Sequence, residues 1–274
     1  MKITVALDNN VPISTPLPLK AEHGASFLIE IDGRRILLDT GQSGAVVDNL
    51  ALLGTHPSAL DMVVVSHGHY DHAGGLQAVL QETRPDVEVV VHAGAWGPRY
   101  SLAGTRRRPI GIPCPESYLR TLGGRWDVRE TPRRLSENLW YSGSVPRVTA
   151  FEHGDAKLVG ADDAPDPVID DTSLFCRGPR GLVVISGCAH AGLVNTVRHG
   201  FALTGLDHLQ GWIGGTHLGP VSPDQQERTL AQLAAWQPEF VAANHCTGFP
   251  MMARLREMFG DRFIPAFVGT VVEV

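Results

Sequence analysis

The sequence lacks long apolar runs, and it is poor in cysteine. No stretch of its 274 residues approaches the ~20 consecutive apolar residues of a transmembrane helix, which argues against a membrane partner. The segment from Met1 to Leu7 has the pattern of a strand and lacks the apolar core of a secretion signal, so we expect a cytoplasmic protein. The four cysteines include no C-x-x-C pair, which predicts reduced thiols and no disulfide framework.

An excess of basic charge is also absent, because the net charge is −6. This balance disfavours nucleic acid as a partner. The charge is unevenly distributed: residues 99–134 contain nine arginines against three acids, whereas residues 152–171 contain seven acids against Lys157. Both segments could be solvated loops. Alternatively, the arginine segment is a flap that attracts a small anionic substrate through Arg106, Arg107 and Arg108, since guanidinium groups suit phosphate and carboxylate.

The pattern of apolar and turn residues divides the chain into two similar halves of strands alternating with helices. The first half predicts a hairpin (26–31 and 35–39), a helix (46–53), a strand (63–65), a helix (75–82) and a strand (87–91). Residues 93–134, rich in Gly, Pro and Arg, predict an insertion or flap with one short helix. The second half predicts paired strands (172–176 and 182–185), a helix (192–203), a strand (209–213), a helix (223–235) and a strand (240–243). We therefore expect a single domain over residues 1–274, with two sheet-plus-helix units packed sheet to sheet.

The most informative motif is the segment 67–72, which directly follows the apolar strand at 63–65. It contains His67, His69, Asp71 and His72 within six positions. Imidazole nitrogens and carboxylate oxygens are metal ligands, and they converge here if the strand ends in a sharp turn. The motif predicts a site for a pair of divalent cations.

Three strands of the second half each end close to a histidine. These residues are His190, His217 and His245. Because successive strand ends gather along one edge of a sheet, that edge is the predicted site.

Together with Asp39, Thr40 and Gly41, these motifs resemble the metallo-β-lactamase superfamily, and the resemblance spans essentially the whole chain. The segments at 22–24, 66–76, 187–192, 214–218 and 245–248 are similar to the branch named for 7,8-dihydropterin-6-methyl-4-(β-D-ribofuranosyl)aminobenzene-5′-phosphate synthase. The resemblance implies an α/β fold, a four-layer αββα sandwich with mixed sheets. It also implies two divalent metal ions, with zinc preferred and manganese or iron as alternatives.

Carried over position by position, the superfamily pattern places His67, His69 and His190 on the first metal. It places Asp71, His72 and His245 on the second. Each metal then keeps an open position for a hydroxide, as hydrolysis requires. Asp39 is expected to orient a metal-bound histidine or hold a turn.

The sequence departs from the pattern where most members of the superfamily bridge the metals with an aspartate. Cys188 occupies that position after Ser186 and Gly187. Two alternatives stay open: His190 is the ligand, or Cys188 takes the bridging position with His153 or His190 beside it.

Two further histidines also have open roles. His217 is a ligand, a proton donor to the leaving group or a core residue. His23 either binds substrate or is structural.

The main hypothesis is a metal-dependent hydrolase that uses a metal-bound hydroxide on a phosphoester or other anionic ester. Asp71 would orient the nucleophile, and His217 or a metal-bound water would protonate the leaving group. The alternatives are an iron-dependent oxidoreductase of the same fold or an enzyme like the pterin-pathway synthase. A homo-oligomeric state is also left open.

Overall fold

The computed structural model describes residues 1–274. Its strands are β1 (Lys2–Leu7), β2 (Ser26–Ile31), β3 (Arg34–Leu38), β4 (Met62–Val64), β5 (Glu88–Val91), β6 (Tyr100–Ala103), β7 (Arg106–Pro109), β8 (Arg125–Val128), β9 (Arg133–Arg134), β10 (Leu139–Tyr141), β11 (Leu158–Val159), β12 (Ser173–Arg177), β13 (Leu182–Ser186), β14 (Leu209–Gly214), β15 (Phe240–Ala243), β16 (Phe263–Pro265) and β17 (Val271–Glu273). Its α-helices are α1 (Ala45–Leu52), α2 (Tyr70–Ala73), α3 (Leu76–Glu82), α4 (Glu116–Thr121), α5 (Leu193–Thr204), α6 (Pro223–Trp236) and α7 (Phe249–Phe259). None of these helices combines the length and the apolar character needed to cross a lipid bilayer.

The chain divides into two compact units. Unit 1 contains residues 1–130, 157–166 and 267–274, and unit 2 contains residues 131–156 and 167–266. Each unit has its own seven-stranded mixed sheet.

The sheet of unit 1 has the order β17-β1-β2-β3-β4-β5-β8. Strands β2 and β3 form the predicted hairpin, and its turn residues Asp32 and Gly33 both have positive φ, as a tight two-residue turn requires. Strands β3, β4, β5 and β8 run parallel, so the residues that follow β3 and β4 lie at one edge of the sheet. Asp39 follows β3, and the motif at 67–72 follows β4.

Helices α1 and α3 pack on this sheet through a buried apolar cluster. The cluster includes Leu50 of α1, Leu76 of α3 and the sheet residues Leu37, Val63 and Val89. The apolar positions that predicted these elements therefore form the core. This packing holds the turn after β4 on a rigid support.

The arginine-rich segment 93–134 has more regular structure than the sequence predicts. Its one α-helix, α4, is the predicted short helix, but β8 also joins the main sheet beside β5. Strand β6 pairs with β7 on one side and with β11 on the other, in a separate three-stranded sheet. Strand β8 is only four residues long and alternates Arg and Asp with Trp126 and Val128, which is typical of a half-exposed edge strand.

The sheet of unit 2 has the order β16-β15-β14-β13-β12-β10-β9. The predicted strands and helices of this half are confirmed, with β12 and β13 antiparallel and β13 to β16 parallel. Helix α7 was not predicted from the sequence; it starts at Phe249 and has Pro250 in its first turn. Because β13, β14 and β15 run in the same direction, their carboxyl ends deliver His190, His217 and His245 to one edge of this sheet.

Candidate metal centre

The turn after β4 brings three imidazoles of unit 1 into contact. Nε2 of His67 lies 2.9 Å from Nδ1 of His69, and the rings of His67 and His72 have centroids 4.2 Å apart. All three side chains are buried. The turn is possible because residue 68 is glycine: a Cβ there would lie 1.9 Å from the carbonyl oxygen of Ala95.

Asp39 fixes this turn from the neighbouring strand. Its carboxylate accepts hydrogen bonds from the backbone N–H and the hydroxyl of Ser66, both at 2.7 Å, and it lies 2.7 Å from Nδ1 of His72. Both Asp39 and His72 are fully buried. A metal ion at His72 would therefore be bound through Nε2, in an orientation that Asp39 sets.

The environment keeps His67 in the form that binds a metal ion. Burial, together with the neighbouring imidazoles of His72 and His69, holds the pKa of His67 well below its ordinary value. The neutral imidazole is the ligand form. His67 therefore needs no deprotonation to bind a cation at neutral pH.

Asp71 and His23 lie together at the exposed side of the same turn. Nε2 of His23 is 3.1 Å from a carboxylate oxygen of Asp71, and the His23 ring is half-exposed. Tyr70 lies beside them, with its ring centroid 6.1 Å from that of His23. Burial and the carboxylate of Asp71 raise the pKa of the Tyr70 hydroxyl, which keeps it protonated as a hydrogen-bond donor.

Unit 2 carries a second set of donors, at the carboxyl ends of β13, β14 and β15. Ligand atoms of Cys188, His190 and His217 lie within 4.8 Å of one another, and so do those of Cys188, His245 and Cys246. The rings of His190 and His217 are in contact, with centroids 4.0 Å apart. Cys188 thus belongs to both groups, whereas His153 is exposed and belongs to neither.

The strand-end turns of unit 2 use backbone conformations that most residues avoid. Ala189, His217 and His245 have φ values of +60°, +49° and +50°. Such values cost free energy for residues other than glycine, and they cluster at functional sites. These three conformations therefore lower the stability of the fold, and they orient the side chains at the strand ends.

The imidazole of His217 lies inside this donor set. Both of its ring nitrogens are buried, and neither makes a hydrogen bond; the nearest carboxylate oxygen, from Asp155, is 4.0 Å away from Nε2. Buried polar atoms without a partner are costly, so a bound ion or substrate at this imidazole would relieve that cost. The donor set of unit 2 therefore fits a metal ion.

The thiol of Cys246 is also unusual. Burial would raise its pKa, but Cys188 and the imidazoles of His217 and His245 outweigh burial and hold the pKa of Cys246 well below its ordinary value. A lowered pKa favours the thiolate, the form that binds metals. Neither Cys246 nor Asp155 was among the residues that sequence reasoning assigned to the site. The position of Cys246 beside His245 was the one signal for it, and no signal pointed to Asp155.

The arginines that the sequence predicted to bind substrate differ from one another in their contacts. Arg107 stacks on Tyr100 at 3.6 Å, donates to the carbonyls of Gly160 and Ala161, and pairs with Asp163 at 3.1 Å. Arg108 donates to the hydroxyl of Tyr70. The acidic segment therefore neutralises part of the basic segment, since Arg99 also pairs with Asp166, at 3.5 Å.

A cavity of about 550 Å³ in unit 1 opens beside this turn. Its lining combines aromatic, apolar and guanidinium groups, from residues including Tyr70, Trp96, Arg99, Tyr100 and Ile112. Gly111, also in the lining, forms a β-bridge with His69. The cavity is thus bounded by backbone that is continuous with the histidine turn.

Comparison with known proteins gives the class of the protein. The family model described as metallo-β-lactamase superfamily matches residues 19–198, and the chain belongs to that superfamily. The predicted fold class and superfamily are thereby confirmed.

Individual relatives show which branch of the superfamily the chain resembles. The chain is 29% identical to the 7,8-dihydropterin-6-methyl-4-(β-D-ribofuranosyl)-aminobenzene-5′-phosphate synthase of Methanocaldococcus jannaschii, over 93% of this chain and 91% of the relative. It is 31% identical to an uncharacterised protein of the same organism, over 93% and 94% of the two chains. The crystal structure of Tm1679, a metal-dependent hydrolase of the β-lactamase superfamily, superposes with a TM-score of 0.81 at 26% identity, over 100% of this chain and 99% of the other. The resemblance to the synthase branch is therefore confirmed.

Proposed function

We propose that the protein is a metal-dependent hydrolase of small anionic esters, phosphoesters above all. Membership of the metallo-β-lactamase superfamily supports the coarse assignment. The observation that carries the proposal is the packed group of buried imidazoles that Asp39 fixes after β4. Imidazole nitrogens are ligands of divalent cations, and this group holds several of them close together before any ion binds.

Two divalent metal ions, with zinc preferred, are proposed to bind six residues. His67, His69 and His190 would hold the first ion, and Asp71, His72 and His245 the second. When bound, these ions supply a water of lowered pKa, ~7, and polarise the scissile oxygen. This assignment follows the superfamily pattern, and the chemistry of both donor sets supports it.

The protein's own groups would orient the reactants and move the protons. Asp71 would accept a hydrogen bond from the attacking water, and His23, whose Nε2 lies 3.1 Å from the Asp71 carboxylate, would hold that carboxylate in place. His217, with Asp155 behind it, is proposed to donate the proton to the leaving oxygen. If His217 instead binds a metal ion, its replacement will remove metal as well as activity.

Substrate recognition is proposed to rely on the cavity of unit 1 and on Arg106 and Arg108. Arg106 is exposed, and Arg108 contacts Tyr70, which immediately precedes Asp71. Arg107 already pairs with Asp163 and two carbonyls, so its guanidinium contributes less to an anion. The aromatic walls of the cavity suit an apolar part of the substrate.

The test is demetallation followed by a substrate screen. Protein treated with a chelator should lose turnover of phosphomonoesters, phosphodiesters, thioesters or lactones, and Zn²⁺, Mn²⁺ or Fe²⁺ should restore it. His67→Ala should abolish turnover, whereas His208→Ala, at an exposed histidine outside the metal-donor groups, should not. Turnover that survives complete demetallation would contradict the proposal.

The synthase of M. jannaschii supports a second candidate. Its identity of 29% extends over 93% of this chain, so a group-transfer reaction on a phosphorylated aromatic substrate is the alternative. Product analysis separates the two: a hydrolase incorporates oxygen from labelled water, and a synthase joins two substrates.

A further inference from the structure

The thiols of Cys188 and Cys246, in unit 2, lie in one group of possible metal ligands, although they are distant in sequence. Sγ of Cys188, Sγ of Cys246 and a ring nitrogen of His245 are all within 4.8 Å of one another. Sγ of Cys246 is also 3.7 Å from the carbonyl oxygen of Cys188, 58 residues away along the chain. The other two cysteines, Cys114 and Cys176, belong to no such group.

The backbone is shaped to permit this approach. A Cβ at Gly215, at the end of β14, would lie 2.6 Å from Sγ of Cys246 and 2.4 Å from the carbonyl oxygen of Gly187. Glycine therefore allows the three strand-end turns to come together around the two sulfurs. His245, with its positive φ, starts the short 3₁₀ turn that carries Cys246.

The distances suit a tetrahedral cation. With zinc–sulfur bonds of about 2.3 Å, two ligands of a tetrahedron lie roughly 3.8 Å apart. Ligand atoms already within 4.8 Å of one another need movements of about 1 Å or less to reach that geometry. Sulfur donors favour zinc and other soft ions over magnesium, calcium or manganese.

We propose that Cys188, Cys246 and His245 form a thiolate site for zinc within unit 2. Cys188 is also within 4.8 Å of ligand atoms of His190 and His217. Each thiol releases its proton to solvent when the ion binds. The inference rests on the proposed function and changes its ligand set: His245, proposed above for the second ion, would bind zinc together with the two thiols.

The sulfur ligands have a direct spectroscopic test. The purified protein, stripped of metal and loaded with Co²⁺, should show sulfur-to-cobalt charge-transfer absorption in the near ultraviolet. Cys188→Ser and Cys246→Ser should each remove about half of this absorption. Each should also lower zinc affinity at least about tenfold. Loss of a group that only orients a metal ligand already costs about 10–100-fold in affinity, and loss of a ligand itself should cost no less.

Matched controls come from the same chain. Cys176→Ser removes a buried thiol of β12, and Cys114→Ser removes one that donates to Gln77. Both should keep the full absorption. Zinc should also slow alkylation of Cys188 and Cys246 in the wild-type protein, which avoids reliance on variants that fail to fold.

The outcomes separate this site from the proposed hydrolase. Charge-transfer absorption without any hydrolysis would support the thiolate site and count against the function. Hydrolysis by a metal-loaded protein that lacks the absorption, or absorption unchanged in Cys246→Ser, would overturn the thiolate site while leaving the function intact.

Discussion

Replacing Asp39 should weaken both the fold and the metal centre. Its carboxylate makes three contacts at 2.7 Å, two with Ser66 and one with His72. No part of this group is exposed to solvent. In Asp39→Ala, the N–H of Ser66 and Nδ1 of His72 would lose this carboxylate, whereas the hydroxyl of Ser66 still has Nδ1 of His67 at 2.9 Å.

The contacts give the magnitude. A buried polar group left without a partner costs about 1–3 kcal/mol, so two such groups cost roughly 2–6 kcal/mol. A typical domain is stable by only about 5–15 kcal/mol, so Asp39→Ala is expected to fold poorly. Asp39→Asn keeps one acceptor oxygen and has nearly the same shape. Its expected cost is about 1–3 kcal/mol, because the amide group presents a donor to one of these partners.

The effect on metal binding is separate from the effect on stability. Partners that orient a metal-bound histidine are worth about 10–100-fold in metal affinity. We therefore expect Asp39→Asn to weaken zinc binding by this factor, because His72 loses the carboxylate that orients it.

Two assays measure these effects. Urea unfolding of the metal-free protein gives the stability, and competition with a chromophoric chelator gives the zinc affinity. Asp48→Asn, at an exposed acid of α1 that pairs with Lys20, is the control and should change neither. Lower stability of Asp39→Asn with wild-type zinc affinity would refute the positioning role, and wild-type values in both assays would refute the whole argument.

Three further predictions concern the surroundings of the site. Burial raises the pKa of Glu152, so the folded protein holds this proton more tightly than the unfolded chain does, and this group makes stability fall as pH rises above 4.5. In urea unfolding at several pH values, metal-free wild type should therefore lose stability relative to Glu152→Gln as pH rises through this range. A stability difference between the two proteins that does not change with pH would show that the assignment is wrong. Gly215→Ala should destabilise the protein by about 1–3 kcal/mol through overpacking, whereas Gly97→Ala, whose Cβ meets nothing within 4 Å, should keep the wild-type melting temperature. Arg108→Ala should raise KM for a phosphoester several-fold, while Arg107→Ala should mainly lower the melting temperature; equal KM values for the two variants would count against an anion-binding role of Arg108.

The sequence by itself determined the principal strands and helices of each half and the histidine motif. Asp32 and Gly33 predicted the hairpin because few residue pairs accept the positive φ of its turn. Pro223 predicted the start of α6, and in the structure the hydroxyl of Ser222 caps this helix by accepting a hydrogen bond from the N–H of Gln225. The spacing of residues 67–72 after an apolar strand likewise predicted a group of close histidines. These features depend on neighbours within a few positions, which a sequence displays directly.

Only the tertiary structure decided which distant groups meet. The pairing of Arg107 with Asp163, the placement of Asp155 near His217 and the approach of Cys246 to Cys188 join residues more than 50 positions apart. The edge strand β8 is a similar case, since its four residues are held by pairing with β5. Local sterics and capping determine where a strand or helix ends. Which residues contact that end depends on where the rest of the chain folds back against it. The charge balance of the arginine segment and the sulfur donors of unit 2 therefore became visible only in the folded chain.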